Sequence, residues 1–177
     1  MSGHNKWSKI KHKKAATDAA KSKVFGRLVQ LIQVEAKKCG GDVNSPGLKM
    51  AIDKANKANM PKDNIDRAIK KASEAGDNME EVRFEAYGPG GVGIIIEALT
   101  DNNNRTSQEI KHTLSKNGTA LAALNAVSWN FTRNQETNDW EANSTIELSD
   151  EDLEKLATLI EAIEEQDDVQ EVYTNAA

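Results

Sequence analysis

The stretch RFEAYGPGGVGIIIEALT, residues 83–100, decides the fold. RFEAY alternates and VGIIIEALT runs apolar in the manner of strands, and the GPGG between them is a hairpin signal. YGPGGVG, Tyr87–Gly93, also resembles a phosphate-cradling glycine loop. It lacks the Lys-Ser/Thr of a P-loop, and a second strand follows it where a helix N-terminus would be needed. A tight hairpin turn is therefore the reading, with a phosphate site and a backbone docking surface as the lesser alternatives.

Downstream of the hairpin, DNNNRT (101–106) reads as a loop, and Thr106 with Glu109 forms a capping box that opens a helix to about Lys116, closed by Gly118. AVSWNFT reads as a third strand and STIEL as a fourth. Ser149 caps a long acidic helix with Leu153, Leu156, Leu159, Ile160 and Ile163 on one face, and VQEVYT is the last strand. Two helices on a mostly antiparallel sheet make a two-layer α/β sandwich over residues 79–177.

Upstream the period is helical. Val24, Phe25, Leu28, Leu31 and Ile32 form one stripe from Ala15 to about Lys38, stopped by Gly40-Gly41. A second helix runs from about Pro46 to Ala58, and a third follows Pro61 with Ile65, Ala68, Ile69 and Ala72, ending near Gly76. Three short amphipathic helices must share one core, so residues 1–78 are expected as a helical N-terminal domain and the fold class as α+β.

Charge is divided along the chain. Residues 1–75 hold 17 Lys or Arg against 7 acids, and residues 76–177 hold 6 against 21, within an overall net charge of −5. Such asymmetry points to a polyanion partner for the basic end, while mutual attraction of the two halves is the plainer alternative. The basic residues crowd the start: Lys6, Lys9, Lys11, Lys13, Lys14, Lys21, Lys23 and Arg27, with Trp7 and His12 among them. Lysine is a flexible point charge suited to phosphate, whereas base-edge readout favours Arg or Asn pairs. Trp7 could stack on an unpaired base or plug the helix bundle together with Ile10.

Other chemistry finds no foothold. Cys39 is the only cysteine, so the chain has no internal disulfide and no Cys-based zinc site; His4, His12 and His112 lack metal-ligand spacing. The acids of 150–168 are spread by helical spacing over a solvated face. No catalytic residue, metal or cofactor is expected. No apolar run approaches a membrane span, and the start lacks the apolar region of a secretory signal, so the expected compartment is the cytoplasm.

Four motifs then carry a resemblance: GHNKWSKIKHKKAATDAAKSKVFGRL (3–28), NMPKDNIDRAIKKA (59–72), YGPGGVGIIIEALTDNNNRT (87–106) and DDVQEVY (167–173). Together they closely resemble the YebC/PmpR family, whose bacterial members are described as probable transcriptional regulators and whose mitochondrial relative is described as a translational activator. The resemblance implies a helical N-terminal domain followed by α/β domains, a cytoplasmic home and no cofactor. Two departures stand out. Where family members insert a further α/β domain, only the loop NQETNDWEAN, 134–143, is present, so this looks like a shortened member lacking the third domain. The family's glycine-rich GGNLG-like turn is here NGTALAALN, with Thr119, Ala122 and Asn125 at glycine positions.

The expected function is therefore a nucleic-acid-binding regulator, a transcriptional regulator that holds DNA through its lysine-rich start. A ribosome-associated translation factor binding rRNA or tRNA is the alternative. A monomer is expected, with neither a membrane nor a small-molecule partner.

Overall fold

A computed structural model of the protein describes residues 6–14, 18–72 and 78–177, with the side chains of 12–14 and 18–19 left aside. The chain divides into two compact units. One holds the helices α2 (Asp18–Lys38), α3 (Pro46–Lys57) and α4 (Lys62–Ala72). Their apolar stripes meet in a single core of Ile32, Ala36, Leu48, Ala51, Ala55, Met60, Ile65, Ala68 and Ala72, with Phe25, Leu28 and Ile69 packed at its edge. Pro46 starts α3 where a missing N–H costs nothing.

The other unit is built on the opening stretch. β1 (Glu80–Tyr87) and β2 (Gly93–Thr100) pair antiparallel from Glu80↔Thr100 to Tyr87↔Gly93. Their turn is a short 3₁₀ segment, Pro89–Gly91, in which Gly90 (φ 67°) and Gly91 (φ 80°) take the left-handed backbone that side chains resist. β5 (Val169–Thr174) pairs antiparallel with the other edge of β2, giving the order β1-β2-β5. The apolar run of β2 is explained by its burial on both faces. Ile94 and Ile96 pack under α5 (Asn103–Lys116) and α6 (Asp150–Glu164) with Ile110, Leu114, Leu156 and Ile160. Ile95 packs on the opposite side with Val127, Phe131, Trp140 and Tyr173. The fold is α+β, with an antiparallel sheet covered by helices on one face.

Several segments depart from their sequence reading. AVSWNFT is not one strand: Ser128–Asn130 is a 3₁₀ turn, and only β3 (Phe131–Arg133) pairs, with β4 (Trp140–Ala142). The segment 134–143, expected as a loop, thus forms the turn and second strand of a small hairpin, closed by Asn134 N–H donating to Asp139 O at 2.8 Å. STIEL contributes one bridge, Ile146 to Ala176: the Ile146 N–H donates to Asn175 O and its C=O accepts the Ala177 N–H, while the Ser144 N–H and C=O are taken by the Asn130 side chain. Helix α5 begins at Asn103, not at a Thr106 cap: the Asn102 side chain accepts the Arg105 N–H at 3.1 Å. Ser149 caps α6 as read, accepting the Asp152 N–H at 3.1 Å.

The first helix, α1 (Lys6–Lys14), also departs from the expected 1–78 grouping, for it belongs to the sheet-bearing unit. Trp7 is only 9% exposed and sits in the core formed by α5, α6 and the sheet, with Ile10 packed beside it. Burying an indole and an isoleucine there outweighs the preference of a short, lysine-rich segment for solvent. No helix among the described residues is long and apolar enough to cross a membrane.

Candidate nucleic-acid interface

The ten residues singled out from the sequence fall on two helices. Seven lie on α1: Lys6, Trp7, Lys9, Lys11, His12, Lys13 and Lys14; of the last three only the helical backbone is described. Lys21, Lys23 and Arg27 lie on α2, in the other compact unit, with Lys21 exposed and the other two partly buried.

On α1, Trp7 faces inward, so its ring is not presented for a base. Lys6, Lys9 and Lys11 remain exposed. Two of them lie beside acids of their own unit: Lys6 Nζ is 3.0 Å from Asp150 at the start of α6, and Lys11 Nζ is 3.6 Å from Glu171 on β5. Both pairs are solvent-exposed, where such contacts contribute about 0–1 kcal/mol. Attraction between the basic and acidic parts of the chain is therefore real in geometry and slight in strength.

Two polar knots that no local pattern announced hold the sheet-bearing unit together. Glu85, on β1, is 1% exposed. Its carboxylate accepts backbone N–H groups from Asn125 (3.0 Å), Val127 (2.7 Å) and Ser128 (3.0 Å), and Arg83 Nε lies 3.3 Å away. Burial pushes its pKa up, but the N–H donors outweigh burial and leave it below the ordinary glutamate value. The segment after α5 is thereby pinned to the sheet edge. Its only sequence signal was a single acid within the alternation of RFEAY.

The second knot joins DNNNRT to DDVQEVY. The Asp168 carboxylate receives Arg105 at 2.9 Å, with the Thr106 and Thr100 hydroxyls at 2.6 and 3.3 Å, and Arg105 also reaches Asp101 at 2.9 Å. Burial again works against the charge and is outweighed by Arg105 and Thr106, so the Asp168 pKa is lowered. Thr106, a cap by its spacing, instead ties the first turn of α5 to the start of β5.

These motifs, in this order on this fold, match a known family. A profile described as the TACO1/YebC protein N-terminal domain matches residues 5–75, and one described as the TACO1/YebC second and third domain matches residues 79–138 and 134–176. The chain belongs to the TACO1/YebC family. A probable transcriptional regulatory protein of Petrotoga mobilis is 52% identical over 136 residues, 75% of this chain and 54% of that protein. One from Fervidobacterium nodosum is 38% identical over 235 aligned positions, covering 99% of this chain and 93% of the relative. Those 235 positions exceed the 177 residues present here, so the chain is shorter than that TACO1/YebC relative. The two matched segments of the second profile meet at 134–138, in the turn of the β3–β4 hairpin. The crystal structure of a conserved hypothetical protein from Aquifex aeolicus superposes with a TM-score of 0.77 at 30% identity, covering 90% of this chain and 91% of that one. The N-terminal profile spans α1 although α1 packs here on the sheet-bearing unit; a shared stretch of sequence does not require a shared core.

Proposed function

We propose that this TACO1/YebC protein is a transcriptional regulator that grips the phosphates of DNA with Lys6, Lys9, Lys11, Lys13, Lys14, Lys21, Lys23 and Arg27, acting in the cytoplasm as a monomer without a cofactor. The relatives' printed name, probable transcriptional regulatory protein, agrees with this reading. The observation that carries it is the way α1 is held. Trp7 and Ile10 are taken into the core, so the helix cannot roll, and Lys6, Lys9 and Lys11 stand outward at fixed spacing. Fixed point charges bind a phosphate backbone strongly and read little sequence. The nearby Asp150 and Glu171 temper that field without removing it, because exposed pairs exchange readily for phosphate. In this reading the β3–β4 hairpin stands where longer relatives carry a third domain.

One feature favours a second reading, in which the phosphates belong to RNA on the ribosome. The described outward residues of α1 between Lys6 and Lys11 are lysines, with none of the Arg, Asn or Gln that reads a major groove. The test is affinity as a function of salt for duplex DNA and for ribosomal RNA, on the full chain and on a variant with Lys9, Lys11, Lys13 and Lys14 all changed to Ala. Each lysine engaged contributes roughly 0.7–0.9 to the slope of log K against log salt. The variant should therefore be flatter by roughly 3 on the preferred target, and an unchanged slope refutes the proposal. Co-sedimentation with ribosomal particles selects the second reading over the first.

A further inference from the structure

Residues 110–135 contain no Asp or Glu, within a half of the chain that carries 21. The same stretch displays the most exposed large hydrophobics of the sheet-bearing unit, Trp129 at 75% and Leu124 at 64%, and Tyr87 on β1 joins them at 48%. Lone apolar residues at a surface need no explanation, but these are organised. Trp129 Nε1 and the Tyr87 hydroxyl both donate to the Ala126 carbonyl, each at 2.9 Å, so one backbone oxygen fixes two rings. That oxygen sits in the segment whose N–H groups are clamped by Glu85. A ring held this way has little freedom left to lose on binding.

Basic residues lie on the segments adjoining these rings. Thr119 Oγ1 donates to Tyr87 O at 2.5 Å, three residues beyond the exposed Lys116 that ends α5. Arg83 Nη2 donates to Asn125 Oδ1 at 2.9 Å, and its guanidinium is engaged by Glu85 and the Trp140 ring. Glu85, the acid beneath, is buried and saturated with N–H donors. A stretch of chain without acids that carries an exposed lysine and presents a fixed ring is complementary to a strand that offers base faces and phosphates together.

We propose that the segment Thr119–Asn130 is a second contact for nucleic acid, at which an unpaired base of a single strand stacks on Trp129 while a neighbouring phosphate meets the exposed Lys116. This rests on the polyanion reading above and narrows it: the preferred target carries a single-stranded element, because bases within a duplex are already stacked and out of reach of the ring. The assignment is independent of α1, whose own tryptophan is buried.

The test uses the full chain, with Trp129→Ala and Trp129→Phe, and three labelled probes at one salt concentration: a short RNA single strand, the DNA single strand of the same sequence, and its duplex. Fluorescence anisotropy gives the affinities. Trp129→Ala should weaken single-strand binding by roughly 5- to 100-fold, the loss of one base–aromatic stack, and leave duplex binding and melting temperature unchanged. Trp129→Phe should restore most of the loss. RNA and DNA strands affected alike identify a stacking site; an effect on RNA alone assigns the ribose hydroxyl to it as well. If the wild type binds the probes and Trp129→Ala binds them equally well, this proposal falls while the phosphate reading stands, and the patch belongs to a protein partner. Equal weakening of single strand and duplex also overturns it. If the wild type binds none of the three, both readings fall together.

Discussion

Replacing Glu85 by Gln keeps the volume of the side chain but removes its charge and one of its two acceptor oxygens. In the wild type, Oε2 accepts from Val127 and Ser128 and Oε1 from Asn125. The best a glutamine can do is to keep its oxygen on Val127 and Ser128 and turn its NH₂ toward Asn125. Two charge-assisted bonds become neutral ones, at about 1 kcal/mol each, and one N–H faces another donor, at about 1–3 kcal/mol. Rehydration at the exposed Asn125 recovers part of this, so the net cost is roughly 2–5 kcal/mol. For a unit of this size that lowers the melting temperature by about 8–20 °C, read by calorimetry on the full chain. Hydrogen exchange should accelerate most at Val127 and Ser128. The pH dependence carries its own sign. The folded pKa of Glu85 is depressed, so its stabilisation is complete above the ordinary value of 4.5 and is lost as pH falls through the lower folded value. The gap between wild type and Glu85→Gln should thus be constant near neutrality and close in acid. A variant that melts within a degree of the wild type, with the same gap at every pH, would show that the carboxylate does not pin this segment.

The two partly or fully buried tryptophans give contrasting expectations. Trp7→Ala should cost roughly 3–5 kcal/mol in urea unfolding and release α1, whose nine residues are too few to stay helical without packing; a loss under 1 kcal/mol would contradict the burial described here. Trp140→Ala should cost about 1–3 kcal/mol, since Arg83 and Arg133 both lie over the ring, 5.4 and 4.6 Å from its centre, and its N–H reaches Glu97 at 3.0 Å. Its nucleic-acid affinity should be unaltered, and lost affinity at unchanged stability would instead make Trp140 a docking residue.

The hairpin at residues 83–100 was legible because its signals are local: alternation, an apolar run and glycines placed where the backbone turns left-handed. The α+β class followed from it. The misread segments share a cause, which is a partner distant in sequence. AVSWNFT has the residues of a strand, yet Glu85, some 40 residues earlier, takes the N–H groups of Val127 and Ser128 that a ladder would need. Thr106 has the spacing of a cap, yet its hydroxyl is drawn to Asp168, 62 residues later, and Asn102 caps the helix in its place. Trp7 sits among lysines that suggest a wet surface, and elements from the sheet onward, far along the chain, bury it. Of the candidate site, the sequence supplied the lysines; the exposure of Trp129 and its fixation by Ala126 come only from folding.

The turn between β3 and β4 has a consequence for how such a protein changes length. Asn134 and Asp139 are joined by a backbone hydrogen bond of 2.8 Å, so the chain leaves this unit and re-enters it at neighbouring points. A folded body whose own ends lie close together can be spliced in or cut out there without altering a strand, a register or a core residue of the host. The thermodynamic cost is that of closing a loop, which grows only with the logarithm of its length. An insertion at that point would therefore be of small energetic consequence for the strands, register and core of the remainder.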